Sequence, residues 1–200
     1  RLTDDKKFYW DGTTGCGNQL NCTNAGSRAL ITDSLKYWIN TMGVDGFRYD
    51  LAPVIARNAN NYYNFDPSNQ PVISDITAMI TTYGVEMIAE AWDCGGSFVS
   101  GFPAAWGDWN GDYRDIVRKF VKGDGYKPGT YYSFGDVFYG TYNGYYDGGA
   151  GGPHKSVNFL VAHDGFTLAD VVSYNTKMNS TLTWPWGPSD GGNEIGRAHV

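Results

Sequence analysis

Short apolar segments alternate with amphipathic helical patterns along this 200-residue chain. Apolar residues at helical spacing predict helices over residues 27–42, 71–83 and 113–121, and Ser27 and Gly43 are the predicted N-cap and stop of the first. Short apolar runs predict strands over residues 44–49, 85–89, 106–109, 132–139 and 157–162. Such alternation predicts an α/β fold with a parallel sheet and helices outside it. A doubly wound open sheet gives similar alternation, but no glycine-rich phosphate fingerprint follows any of these strands.

Three acidic residues each stand at the end of a predicted strand: Asp50, Glu90 and Asp164. Glu90 lies 40 positions after Asp50, and Asp164 lies 74 positions after Glu90. In a (β/α)8 barrel of ~250 residues each strand–helix unit averages about 31 residues, so these intervals fit one long unit and then two units. Barrel enzymes place their chemistry just after the strands. The sequence therefore predicts part of a (β/α)8 TIM barrel.

The surroundings of Asp50 and Glu90 suit two different tasks. Arg48 precedes Asp50 by two positions, so on a strand both side chains point to the same face, and the guanidinium favours an ionised Asp50. Glu90 stands between Ala89 and Ala91, and apolar surroundings favour a carboxyl group that keeps its proton. A retaining glycosidase needs such a pair, one ionised nucleophile and one proton donor. A helix cap or a structural ion pair is the alternative for any one of these acids alone.

Composition limits the classes of partner. The net charge is −6 and the 15 basic residues form no run, which argues against a nucleic-acid partner. No stretch reaches the roughly 20 apolar residues that a membrane span needs. The 7 Trp and 15 Tyr beside few charges suit flat, neutral sugars, and equally a loop-rich secreted protein.

Three segments carry a resemblance to a known family. Residues 43–52 (GVDGFRYDLA), 87–93 (MIAEAWD) and 162–168 (AHDGFTL) resemble the second, third and fourth signature regions of the α-amylase superfamily. The resemblance implies a (β/α)8 barrel of which this chain supplies roughly strands four to seven. It also implies catalytic roles at the three acids: Asp50 as the nucleophile, Glu90 as the acid/base and Asp164 as the stabiliser of the transition state.

The same resemblance indicates substrate-binding residues and a substrate. Arg48 matches the arginine of the second region and His163 the substrate-binding histidine of the fourth, and Trp92 and Trp109 are the predicted aromatic contacts to sugar. Residues 163–175 and 184–192 resemble isoamylases and glycogen-debranching enzymes. This implies retaining hydrolysis of the α-1,6 branch linkages of glycogen or amylopectin. The alternatives are an α-1,4-acting enzyme of the superfamily and a non-catalytic glucan-binding subunit.

The remaining expectations concern the ends of the chain, cofactors and compartment. Residues 1–193 are expected to be a fragment of the catalytic barrel domain. Residues 194–200 resemble a translated sequencing adapter, and we give them no functional weight. No cofactor or metal site is evident, although calcium is possible in a longer protein of this family. Low charge favours a secreted or periplasmic protein, with a cytoplasmic one as the alternative. Cys16 and Cys22 either form a small disulfide or stay free thiols.

Overall fold

The computed structural model describes residues 9–10, 12–58, 64–122, 135, 138, 151–163 and 166–173. The helices whose bounds lie within them are α1 (Ala25–Met42), α2 (Pro71–Tyr83) and α3 (Gly111–Lys122), and Gly135 and Phe138 are also helical. The strands are β1 (Tyr9–Trp10), β2 (Gln19–Leu20), β3 (Gly46–Tyr49), β4 (Glu86–Ala89), β5 (Trp92–Asp93), β6 (Gly96–Ser97), β7 (Gly107–Asn110) and β8 (Ser156–Asn158). Short 3-10 helices cover Ala52–Ala56, Pro67–Asn69, Pro153–Lys155 and Asp170–Val172. The chain forms two compact units, residues 1–109 with 142–157 and residues 110–141 with 158–200.

Four strands form one sheet in the order β3-β4-β7-β8, and β4 is parallel to both β3 and β7. The predicted α/β fold with a parallel sheet is therefore confirmed. Of the predicted strand over residues 132–139 the structure describes only Gly135 and Phe138, and both are helical, so the prediction is wrong at these two positions. Two small antiparallel pairs, β1 with β2 and β5 with β6, lie outside this sheet. Among the described residues, no helix is both long and apolar enough to cross a bilayer.

The core of the first unit lies where α2 packs on the sheet. Buried α2 side chains are Val72, Ile73, Ile76 and Met79, and they join Met87 and Ala89 of β4 in one apolar cluster. Trp106 is buried in the same cluster, and its indole Nε1–H donates to Thr77 Oγ1 of α2 at 2.8 Å. That hydrogen bond satisfies the one polar group of the indole. The sheet edge that carries Glu90 thus rests on a packed helix.

Helix α1 is capped three residues earlier than the sequence pattern predicts. Its N-cap is Asn24, whose Oδ1 accepts the backbone N–H groups of Gly26 (2.8 Å) and Ser27 (3.4 Å). Ser27, the predicted cap, is instead buried inside the first turn. Both residue types cap helices well, so the apolar spacing alone could not choose between them. The predicted stop at Gly43 is confirmed, because this glycine takes the left-handed conformation (φ 70°) that ends helices.

Strand β8 ends at Asn158, so the predicted strand over residues 157–162 is wrong from residue 159 onward. The reason lies in the second unit, where the Leu160 carbonyl accepts the Arg118 Nε–H of α3 at 2.8 Å. A carbonyl bound to a helix side chain does not join a strand ladder. His163 therefore stands five positions beyond the end of the strand.

Helix α3 belongs to the second unit and confirms the cleanest amphipathic pattern in the sequence. It begins after Asn110, whose side-chain oxygen accepts the Tyr113 N–H at 2.9 Å, a standard N-cap interaction. Asp112 adds a negative charge in the first turn, where the helix dipole favours it.

A buried ion pair ties β7 to the segment before β8. Lys155 Nζ lies 3.8 Å from Asp108 Oδ2, and both side chains are inaccessible to solvent. The ammonium also donates to the Phe102 carbonyl at 2.6 Å, and Asp108 Oδ2 accepts the Ser100 N–H at 2.7 Å. Burial raises the pKa of Asp108 to about 6, and the attraction of Lys155 only partly opposes this rise. Burial likewise lowers the pKa of Lys155.

This pair predicts how stability depends on pH. The folded protein binds a proton at Asp108 more tightly than the unfolded protein does, so this proton stabilises the fold. The stabilisation is complete below pH 3.8 and is lost as the pH rises through about 6. A tenfold change in proton affinity is worth about 1.4 kcal/mol, so the total is on the order of 3 kcal/mol. Asparagine does not titrate. Between about pH 4 and pH 7, the unfolding free energy of Asp108→Asn should therefore rise relative to that of the unmodified protein. Urea unfolding of both proteins at several pH values measures this change. A difference in unfolding free energy between the variant and the unmodified protein that stays constant with pH would contradict a buried Asp108 carboxyl with a raised pKa.

All three cysteines are unpaired in the described structure. Cys22 is buried and its Sγ contacts the Leu20 carbonyl at 3.5 Å, whereas Cys16 and Cys94 are exposed. Burial raises the pKa of the Cys22 thiol to about 12, which keeps it protonated and unreactive. The structure therefore favours free thiols over the small disulfide between Cys16 and Cys22.

Candidate active site

The register of three parallel strands brings candidate residues to one edge of the sheet. Arg48 of β3 pairs with Ile88 of β4, which pairs in turn with Gly107 of β7. Side chains two positions apart on a strand point to the same face. The residues two positions further along the three strands are Asp50, Glu90 and Trp109. They therefore lie side by side in one layer across the sheet, which we call a tier.

The two carboxylates converge. A carboxylate oxygen of Asp50 and one of Glu90 lie within 4.8 Å of each other. Retaining glycosidases hold their carboxyl groups about 5–5.5 Å apart, whereas inverting enzymes leave about 6.5–9.5 Å for a water molecule. The interval between Asp50 and Glu90 fits the shorter class. The Asp50 side chain is 68% exposed and the Glu90 side chain only 5%, so one is open to an incoming substrate and the other is largely shielded from water.

Arg48 lies between the two acids. Its Nη1 donates to Asp50 Oδ1 at 2.5 Å, and its Nη2 lies 2.9 Å from Glu90 Oε1. The sequence predicted the contact with Asp50 from the spacing of two residues. It did not predict the contact with Glu90, which depends on the pairing of β3 with β4. One guanidinium thus contacts both carboxylates.

Leu51 contributes a backbone donor that the sequence did not reveal. Its N–H donates to Glu90 Oε2 at 2.7 Å. Leu51 has a left-handed backbone (φ 43°, ψ 49°), which is unusual for a residue with a side chain and costs on the order of 1 kcal/mol. The residue immediately after Asp50 is therefore held in a strained conformation that aims a hydrogen-bond donor at the second acid.

The environment of Glu90 is more polar than the purely apolar one that the sequence predicted. Ala89 and Ala91 are fully buried, as their composition suggests, and Glu90 is itself buried. Its two carboxylate oxygens, however, face a guanidinium and a backbone N–H. Both groups stabilise negative charge on Glu90 in this arrangement. For Glu90 to donate a proton, one of these contacts has to lengthen when substrate arrives.

The other predicted site residues are placed as follows. Trp92 is half-buried at the start of β5, and its backbone N–H donates to the Glu90 carbonyl at 2.9 Å. Trp109 lies in β7 with its ring against the Arg48 guanidinium. His163 is exposed in the second unit. Asp164 lies outside the described residues.

A buried network beside the site was missed in the sequence. Arg57 follows the 3-10 helix after Asp50 and forms an ion pair with Asp93, which follows Glu90 by three positions; the two side chains are 1% and 0% exposed. Thr13 Oγ1 donates to the same carboxylate at 2.5 Å. Asp93 stood within the quoted 87–93 segment, but nothing in the sequence indicated Arg57 as its partner. The pair connects the two loops that carry the catalytic candidates.

Breaking this pair should destabilise the protein strongly. In Arg57→Met the Asp93 carboxylate remains buried without its cation, and we expect a loss of about 3–5 kcal/mol in unfolding free energy. A matched control is Arg28→Met, which breaks the half-exposed pair between Arg28 and Asp75. The control should lose much less, because solvent screens an exposed pair. Equal losses in the two variants, measured by urea unfolding, would show that the Arg57 pair is not a structural anchor.

Taken together, the described residues define an α/β protein with two converging carboxylates at the carboxyl edge of a parallel sheet. Comparison with known proteins shows which proteins the chain is similar to. The chain is 41% identical over 203 residues to "Isoamylase" of Flavobacterium sp, covering 96% of this chain and 26% of the relative. It is 42% identical over 200 residues to "Isoamylase 1, chloroplastic" of Oryza sativa subsp. japonica, covering 90% of this chain and 24% of the relative. No family model matches the sequence.

The structure has the same fold as part of a pullulanase. The match to "Pullulanase from Bacillus acidopullulyticus" has a TM-score of 0.59 and 20% sequence identity, and it covers 82% of this chain and 21% of that one. Over nearly its whole length the chain is homologous to isoamylases, at 41–42% identity. It spans about a quarter of the length of the curated relatives it matches.

Proposed function

We propose that the protein containing this chain hydrolyses the α-1,6 branch linkages of glycogen or amylopectin with retention of configuration. The observation that carries the proposal is the separation of at most 4.8 Å between the Asp50 and Glu90 carboxylates, in a relative of isoamylases. That separation leaves room for a sugar carbon between the acids and none for an intervening catalytic water.

The proposed reaction has two steps. Asp50 attacks the anomeric carbon while Glu90 protonates the leaving glycosidic oxygen, which gives a covalent glucosyl ester on Asp50. The leaving glucan chain then departs, and Glu90 takes a proton from water that hydrolyses the ester. We assign Asp164 to stabilising the positive charge that develops on the sugar. His163 and Trp92 are proposed contacts to sugar hydroxyls and ring faces.

Arg48 is proposed to serve both steps without reacting itself. Its contact with Asp50 orients the nucleophile, and the guanidinium keeps its own charge throughout because it does not lose its proton. Its contact with Glu90 stabilises the carboxylate that remains after proton donation. Proton donation therefore requires that this contact weakens first and returns afterwards.

We further propose that residues 1–193 are a segment of a closed (β/α)8 barrel, with β3, β4, β7 and β8 as its strands four to seven. Their order in the sheet follows their order in the chain, as it does in such barrels. The likeness to pullulanase supports this placement. We also keep export from the cell as our proposal for the compartment; the rice relative is named as chloroplastic, so similarity alone does not assign it.

Product analysis tests the activity. The experiment uses this chain within a polypeptide of its relatives' length, hereafter the extended protein. Hydrolysis of α-1,6 branches in amylopectin should deepen the iodine colour and release linear chains with unchanged internal linkages. Loss of iodine colour would identify α-1,4 cleavage instead. Binding of amylopectin without any new reducing ends would identify a non-catalytic subunit.

A further inference from the structure

The Arg48 side chain is held in place by few hydrogen bonds for a group that bridges two acids. Within the described residues, its Nε and Nη2 atoms are buried and make no hydrogen bond of good geometry. The 2.9 Å approach of Nη2 to Glu90 Oε1 is an ion pair in distance but is poorly directed. Hydrogen bonding alone therefore leaves the plane of the guanidinium free to rotate.

Trp109 supplies the missing constraint. The Arg48 Cζ atom lies 4.2 Å from the centroid of the Trp109 ring, well within the ~6 Å range of a cation–π contact. Indole is the strongest aromatic partner for such a cation. The register of β3, β4 and β7 explains the approach, because it sets Trp109 in the tier of Asp50 and Glu90, one tier beyond Arg48 and two strands away.

Contact with Arg48 competes with the sugar-binding role that the sequence suggested for Trp109. An indole face that covers a guanidinium cannot stack on a glucose ring at the same time. We propose that Trp109 is a positioning residue, whose ring holds the Arg48 guanidinium in the plane that spans Asp50 and Glu90. The kinetic consequences rest on the proposed function, whereas the contact itself does not.

Kinetics of the extended protein distinguish positioning from sugar binding. Displacing catalytic groups by about 1 Å can cost roughly 100-fold in rate. In Trp109→Leu, which removes the π face but keeps an apolar side chain, kcat on amylopectin should fall about 10- to 100-fold, with KM changed less than about 3-fold. Trp109→Phe keeps an aromatic face and should recover most of kcat. Trp38→Leu, at a 45% exposed site on α1, is the control and should leave kcat unchanged.

Two kinetic results would overturn the proposal. A higher KM at unchanged kcat in Trp109→Leu would mean that the ring binds sugar and does not position Arg48. A Phe variant as impaired as the Leu variant would mean that bulk matters and the aromatic face does not.

A double-mutant cycle on unfolding tests the contact without any activity. Arg48→Met, Trp109→Leu and the double variant are compared with the unmodified extended protein. A cation–π contact predicts that the effects on the unfolding constant couple by about 2- to 30-fold. Additive effects would overturn the proposal. If the double-mutant cycle shows coupling but the unmodified protein does not hydrolyse amylopectin, the proposed function fails and the Trp109–Arg48 contact stands.

Discussion

Replacing Asp50 with asparagine is expected to lower the rate of amylopectin hydrolysis by the extended protein roughly 1,000-fold or more, while glucan binding survives. Asparagine has the shape of aspartate but is a far weaker nucleophile, so the covalent step is lost. A 1,000-fold loss corresponds to about 4 kcal/mol of transition-state stabilisation. Because Asp50 is exposed at the edge of the sheet and supports no core packing, the variant should fold normally. Initial rates and glucan affinity, measured on one preparation, give both quantities.

The control for this experiment is Asp45→Asn. Asp45 lies in the 43–52 signature segment but precedes β3, so its side chain is not in the tier of Asp50. The Asp45→Asn variant should retain most of the activity. Turnover that is unchanged in Asp50→Asn would remove Asp50 as the nucleophile, and a loss of glucan binding would indicate a binding role in its place.

Replacing Glu90 with glutamine is the second large effect, and the expected loss depends on the leaving group. With amylopectin the rate should fall about 100- to 10,000-fold, the usual contribution of a general acid. With an α-maltosyl fluoride, formation of the glycosyl ester should remain fast, because fluoride leaves without a proton. The ester should then accumulate, since no base activates water, and added azide should restore turnover and give an α-glycosyl azide.

Comparison of the two variants separates their roles. Asp50→Asn should be inactive on both substrates, because it lacks the nucleophile in each case. Glutamine at position 90 keeps the hydrogen bond from the Leu51 N–H, which limits structural change. If Glu90→Gln were equally impaired on the fluoride and on amylopectin, with no rescue by azide, Glu90 would not be the acid/base.

Much of the framework could be predicted because it depends on local patterns. Apolar residues at helical spacing gave α2 and α3 closely, and the short runs before Asp50 and Glu90 gave β3 and β4. The spacing of two residues also placed Arg48 on the same face as Asp50. These features need only the periodicity of one helix or strand.

The contacts between elements could not be predicted in the same way. Arg48 meets Glu90, and Trp109 covers Arg48, only because β3, β4 and β7 pair in one particular register. The Leu51 donor depends on a left-handed backbone that its residue type gives no reason to expect. Likewise the end of β8 is decided by a hydrogen bond from Arg118, 42 positions away in the chain.

Trapping the covalent intermediate tests the central claim most directly. The extended protein is incubated with a maltosyl fluoride that carries a second fluorine on the ring, which slows hydrolysis of the glycosyl ester. Peptides are then analysed by mass spectrometry after acid proteolysis. A double-displacement mechanism predicts one added glycosyl group, located on Asp50. An adduct on any other side chain would contradict the assignment of Asp50 and the two-step reaction built on it.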